Sequence, residues 1–194
     1  VHRGWAGDDE VAVSLVHAQL GRFVYPVHRL DRGASGALAL ALTAAAARAL
    51  HEAIEAGRVE KRYLALVRGV TPESGVIDHP IPRREGGPRV PAVTEYRRLA
   101  TFERYSLVEA TTHTGRLHQV RRHLKHISHP LIGDANYGKS EHTRALRERF
   151  GLARLALHAV ALAFAHPATG APLALTAPVP PDLAGPLAAM GLWP

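Results

Sequence analysis

Residues 93–99 and 105–111 each alternate as a strand does, and only residues 100–104 separate them. Parallel neighbours need a crossover of a dozen residues or more, so so short a link leaves an antiparallel hairpin. Further strand-like segments lie at 24–27, 37–42, 61–67, 155–165 and 172–176, the last two joined by the turn His166-Pro167-Ala168-Thr169-Gly170. Helices are predicted between them. The first has an acidic start at Asp8-Asp9, apolar positions from Val11 to Leu20 and a stop at Gly21. The second covers 44–56, with Thr43 as cap and Gly57 as terminator. Others cover 118–128, ended by Pro130, then 143–150 and 181–190. Residues 71–91 hold Gly75, Pro80, Pro82, Gly86, Gly87 and Pro88, which predicts a hairpin-like excursion over the surface. Strands arriving in hairpins with helices interspersed predict an α+β fold whose mixed sheet is mainly antiparallel and flanked by helices, with residues 1–194 as one domain.

The chain has 194 residues, 46% of them hydrophobic and 21% charged, which suffices for a core and excludes a disordered reading. Cysteine is absent, so no disulfide framework, zinc–thiolate site or cysteine nucleophile exists, and a reducing cytoplasm fits. The longest uncharged stretch, 155–181, is interrupted by His158, His166 and Pro167, Pro172, Pro178, Pro180 and Pro181, so it is no membrane helix. The formal charge is +7, carried by three lysines (Lys61, Lys125, Lys139) and twenty-one arginines. The guanidinium fork suits phosphates and base edges, so a polyanionic partner is indicated; a GC-rich coding sequence would also favour Arg over Lys. The chain opens Val1-His2-Arg3 without Met and with no visible signal peptide, and is expected to start part-way through a longer product.

Three segments concentrate chemistry. In His28-Arg29-Leu30-Asp31-Arg32-Gly33-Ala34-Ser35-Gly36, one carboxylate lies between two arginines ahead of a glycine-rich turn. Such a group is either a salt-bridged turn residue or a nucleophile for an electrophilic carbon such as an anomeric centre. In Thr112 to His123, Gly115 leads from a strand end into a helix, which sets Arg116 at a junction where side chains project into clefts. Arg121, Arg122 and Lys125 follow on the helix, placed to meet phosphates. The histidines at 113, 118, 123, 126 and 129 lack the i, i+4 pair of a metal-binding helix, so no metal site is expected. Glu60-Lys61-Arg62-Tyr63-Leu64-Ala65 sets a tyrosine in a strand beside two cations.

In order along the chain, these segments resemble the signatures of the RluA-type pseudouridine synthases. His28 to Gly36 is similar to HRLDxxTSG, with Ala34 where the pattern usually has Thr; Lys61 to Ala65 resembles K-x-Y-x-A; and Thr114 to His123 resembles the TGRxHQ(I/L/V)R helix entry. His129-Pro130-Leu131-Ile132-Gly133-Asp134 with Tyr137-Gly138 resembles HPIxGDxxYG, and Leu157-His158-Ala159 with His166-Pro167 and Gly170 resembles the family's closing run. The amino-terminal strand that usually precedes Val1, and any S4-type RNA-binding domain, are expected to be missing.

The resemblance implies a pseudouridine synthase fold with a basic active-site cleft and isomerisation of uridine in structured RNA without a cofactor. It implies Asp31 as the catalytic residue, attacking the sugar or assisting base departure, with Arg116 paired to Asp31 and Tyr63 stacked on the uracil and taking part in proton removal. Because a stacked uridine is out of reach, the resemblance also implies base flipping, with Arg29 filling the vacated position. Arg29, Arg32, His118, Arg121, Arg122 and Lys125 are the RNA-binding candidates, with Arg83 and Arg84 on the excursion as further backbone contacts. The segment Arg121-Arg122-His123-Leu124 and the run His142-Thr143-Arg144 look most like the branch acting on tRNA at nucleotide 65; a ribosomal RNA target, a non-catalytic RNA-binding module and an N-glycosidase are the alternatives. No protein partner is implied, and a monomer is expected.

Overall fold

The computed structural model describes residues 12–193, so the acidic start Asp8-Asp9 and Val11 of the first predicted helix lie outside the described residues. The helix itself is α1 (Ala12–Leu20). Next come the short strands β1 (Tyr25–Pro26), β2 (Ser35–Gly36) and β3 (Leu40–Ala41), where longer strands were predicted at 24–27 and 37–42. Helix α2 (Ala44–Glu55) starts as predicted, with the Thr43 hydroxyl accepting from the Ala46 N–H.

The main sheet is built on β4 (Glu60–Arg68), flanked by β9 (Tyr105–Thr112) and β10 (Leu157–Ala165). Beyond β9 lie β8 (Val93–Phe102) and the edge strand β5 (Ser74–Asp78); beyond β10 lies β11 (Pro172–Thr176). All these pairs are antiparallel, and the one parallel contribution is β2 against His158 and Ala159 of β10. The sheet is thus mixed and mainly antiparallel, as the hairpin spacing predicted. The surface excursion is shorter than predicted: residues 74–78 join the sheet, and only the small hairpin of β6 (Ile81–Pro82) and β7 (Arg89–Val90) stands off it.

Because strand side chains alternate, β4 feeds two cores. Leu64 and Leu66 pack with Leu107 against Leu146 of α4 (Ser140–Phe150) and Leu183 and Leu187 of α5 (Pro181–Ala189). Ala65 and Val67, with Tyr63 beside them, pack with Val108 and Ala110 against Val120 and Leu124 of α3 (Gln119–His126). The second core therefore fixes the face on which Lys61 and Tyr63 stand. Among the described residues no helix is long and apolar enough to cross a membrane.

The turn bearing Asp31 is tied down from several sides. The Ala34 N–H donates to the Asp31 carbonyl (3.0 Å), and the Ala39 N–H donates to His28 Nε2 (2.9 Å). His158 Nε2–H faces the Ala177 carbonyl (3.2 Å), so its Nδ1 accepts from the Ser35 hydroxyl (2.8 Å), which in turn accepts from Arg154 Nη2 (2.6 Å). Gly36 has φ +120°, and a Cβ there would run into the Ala159 backbone, so the parallel pairing of β2 with β10 requires glycine. His28, which is half-buried, is pushed down to about 4, first by desolvation and then by the Lys61 charge. Burial lowers His123 and His158 as well.

Gly36→Ala is expected to cost about 3 kcal/mol or more, since left-handed strain and a backbone collision add; urea midpoints check this. An acid dependence follows from the imidazoles. The unfolded chain protonates His28 near pH 6.5 while the fold holds it neutral down to about pH 4. The unfolded state then binds more protons, so stability should fall as pH drops through that window. His28→Gln, whose amide oxygen can accept from Ala39, should flatten the dependence; an unchanged slope would place the titration elsewhere.

Candidate active site

A cavity of about 270 Å³ opens between the Asp31 turn, the start of β4 and the junction of β9 with α3, lined among others by Arg29, Asp31, Lys61, Tyr63, Arg116 and His118. The three sequence segments thus converge, as their resemblance implied. The junction is stapled by Gln119. Its Oε1 accepts from the Thr114 hydroxyl (2.7 Å) and the Arg116 N–H (3.1 Å), and its Nε2 donates to the Val93 carbonyl (2.9 Å). His118 takes up a left-handed backbone (φ 52°) just before the helix, so α3 begins one residue later than predicted.

Asp31 does not pair with Arg116. Its Oδ2 accepts from Nη1 of Arg121 (3.2 Å), whose Nε and Nη2 donate to both oxygens of Asp134 (2.7 and 2.8 Å). Arg121, predicted to grip phosphate, is 6% exposed. The cause is helix phase: Val120, Arg121, His123 and Leu124 are buried, so the first turn of α3 presents Arg121 to the protein interior. Arg116 stands on the non-helical junction before it, lines the cavity, and its Nε reaches the Pro91 carbonyl (3.4 Å).

Asp134 completes the bridge. Its Oδ1 also accepts from the N–H groups of Asn136 and Tyr137 (both 3.0 Å), and its side chain is fully buried. Burial opposes its charge, but the Arg121 hydrogen bond and the two backbone donors outweigh it and hold the carboxyl below the usual range. For Arg121 burial again works against the charge, and the bonds to Asp134 and then Asp31 prevail, raising it. The Tyr63 phenol is pushed up, first by desolvation and then by the Asp31 charge, so it is held protonated beside the carboxylate.

Tyr137 was not singled out by sequence, yet its ring has three cations over it: Arg121, Arg122 and Lys125 lie 5.1, 5.3 and 5.5 Å from its centroid. Its hydroxyl bonds His118 Nδ1 (3.0 Å), and burial lowers His118 against the opposing pull of Asp31. Arg122 is half-buried, Lys125 exposed, and Arg29 and Arg32 exposed at the Asp31 turn. Arg83 lines the cavity from the β6–β7 hairpin and pairs with Glu55 of α2 (2.8 Å), whereas Arg84 is exposed and does not line it. The clustered histidines point to separate partners: His123 to Thr94 and the His79 carbonyl, His126 onto the His79 ring, His129 to the Arg68 carbonyl. Among the described residues no three His, Asp or Glu side chains converge on one point. The signal for Asp134 and Tyr137 was present in the Gly133-Asp134 and Tyr137-Gly138 run, which the sequence alone left without a role.

With this geometry the chain can be set beside known proteins. It is 42% identical over 200 residues to the tRNA pseudouridine synthase C of Salmonella typhimurium, covering 91% of this chain and 77% of that protein. A relative of the same name from Pectobacterium carotovorum is also 42% identical, over 201 residues, and the chain spans 53% of its length. Among solved structures, human RNA pseudouridylate synthase domain containing 4 superposes with a TM-score of 0.74 at 26% identity, covering 92% of this chain and 80% of that one. The human domain containing 1 protein gives 0.71 at 29% identity, over 87% and 74%. Residues 8–126, which hold Asp31, Tyr63, Arg116 and Arg121, match the family described as RNA pseudouridylate synthase. The chain belongs to the RNA pseudouridylate synthase family.

Proposed function

We propose that this protein converts a uridine of tRNA, at nucleotide 65, to pseudouridine, with Asp31 as the catalytic carboxylate. The observation that carries this reading is the position of Asp31, 18% exposed at its side chain and facing the cavity while Arg121 holds one of its oxygens. The names of the relatives favour tRNA over ribosomal RNA. A cytoplasmic location follows from that substrate.

The chemistry asks for little. The bond from C1′ of the ribose to N1 of uracil breaks, the base turns, and a bond from C1′ to C5 forms; C5 gives up a proton and N1 gains one. Asp31 either takes C1′ as an ester or faces it as the base departs. Arg121 aims the carboxylate through a charge-assisted bond. Tyr63 offers a flat face for the ring, and its held proton suits it to donate a hydrogen bond rather than to act as a ready base. An extruded nucleotide costs about a few kcal/mol of unstacking, which exposed Arg29 at the cavity rim is placed to offset by stacking in the gap. Arg32, Arg122 and Lys125 extend the cationic rim towards the RNA backbone, and His118 supports it through Tyr137.

Total RNA from a strain lacking the gene, incubated with the protein and mapped for new pseudouridines, is expected to show tRNA nucleotide 65; a ribosomal site or none would overturn the assignment. Asp31→Asn should retain fold and RNA binding and lose isomerisation, because the amide is isosteric and a far poorer nucleophile. Turnover near the wild-type rate would refute the role. The two neighbouring arginines should fail differently. Arg121→Lys keeps a charge but not the fork, and should lower single-turnover rates at saturating RNA by about tenfold or more with affinity little changed. Arg122→Ala should weaken binding and reduce its log–log salt slope by roughly one unit or less, with turnover little changed. Identical defects in both would break the division between them.

A further inference from the structure

Lys61 is a cavity-lining cation that the proposed reaction has not used. It is 3% exposed, yet it lines the cavity, and among the described residues no carboxylate is within ion-pair distance of it. Its one side-chain hydrogen bond among the described residues is long, from Nζ to the Thr114 carbonyl at 3.4 Å. Nearby charges do not help it: desolvation and then Arg116 push it down to about 8. A buried ammonium without an anion is costly, and a methionine of similar shape would avoid the cost. The surroundings nonetheless make room for it. A Cβ on Gly115 would come within 3.3 Å of Nζ, so the glycine of the Thr114-Gly115-Arg116 turn leaves the ammonium its space.

Position gives the charge a purpose. Lys61 and Tyr63 are two residues apart on β4 and so share a face, roughly 7 Å apart along the strand. That distance is the scale of a pyrimidine ring. A base lying on Tyr63 with C1′ towards Asp31 therefore has a carbonyl oxygen within reach of the ammonium. When the N1–C1′ bond breaks, its electron pair goes with the base, and the negative charge spreads over N1, O2 and O4. As C5 attacks C1′, that charge is withdrawn, C5 loses its proton and N1 takes one up.

We propose that Lys61 is a further catalytic residue whose buried ammonium stabilises the negative charge developing on a carbonyl oxygen of the detached uracil. This rests on the reading of the site as a pseudouridine synthase. The anion that no described residue offers Lys61 is then supplied by the reaction itself, at the step where charge develops, and a preorganised donor in a water-poor site acts most strongly there.

The test compares wild type, Lys61→Met, Lys61→Gln and Lys61→Arg, using single-turnover rates and affinities with tRNA carrying uridine or 5-fluorouridine at the target. The readout for both substrates is loss of the N-glycoside. Lys61→Met should be slower by roughly a hundredfold at saturating tRNA, with affinity within about threefold of wild type and no fall in melting temperature. Lys61→Gln should behave alike if Met packs poorly, and Lys61→Arg should recover part of the rate. Fluorine makes the departing base a weaker base, so the defect of Lys61→Met should shrink with 5-fluorouridine. Rates within about threefold of wild type in both neutral variants would overturn the proposal. So would a defect confined to affinity, which would make Lys61 a phosphate contact, or an equal defect with both bases. If wild-type protein forms no pseudouridine in any RNA, the functional reading falls instead; if it does and Asp31→Asn does not, the Lys61 result stands by itself.

Discussion

Two carboxylates share one guanidinium, and the site depends on how unequally they share it. Asp134 takes two of the Arg121 donors and two backbone N–H groups, which fully satisfies a side chain with no solvent exposure. Asp31 receives a single bond at 3.2 Å and stays partly open to the cavity. The uncompensated share of charge is thereby directed at the space where a substrate sits. Breaking a buried pair of this kind costs about 3–5 kcal/mol, so the bridge also locks α3 to the loop after it and to the Asp31 turn. Helix, loop and turn come from sequence positions far apart, and they meet through this one side chain.

Around the bridge the cations are sorted by burial. Arg121 and Lys61 are inside, where a charge acts through few intervening waters. Arg29, Arg32 and Lys125 are exposed, where salt screens them. The Tyr137 ring is shared by the two groups, with buried Arg121, half-buried Arg122 and exposed Lys125 all over it. The positive balance of the composition thus divides into charges buried in the protein and charges open to solvent.

Segments whose structure is decided by neighbours in the chain were legible in the sequence. The β8–β9 hairpin follows from its short link, α2 from Thr43, and β4 from its alternation. Residues 74–78 were misread because Gly75 looks like a turn residue. In the fold it is an edge-strand glycine lying under the Tyr96 ring, where a Cβ would collide with the aromatic carbons. That packing is across the sheet, and no local pattern reports it. Arg121 was misread for a related reason: its guanidinium looks equivalent to those of Arg116 and Arg122 until the helix phase and its neighbours are known.

The sequence by itself determined the fold class and the family, because ordered motifs and strand–turn spacing are local chemistry. It did not determine which arginine holds Asp31. Arg116 and Arg121 lie in the same motif and carry the same group, but α3 begins at Gln119, so only Arg121 is turned inward onto Asp31 and Asp134. Nor could it show that Lys61 has no carboxylate beside it among the described residues, since a buried charge is defined by what surrounds it, and those surroundings come from β4, the Thr114 turn and the Asp31 loop packed together. Pairing and burial belong to tertiary structure because both are properties of distance through space rather than along the chain.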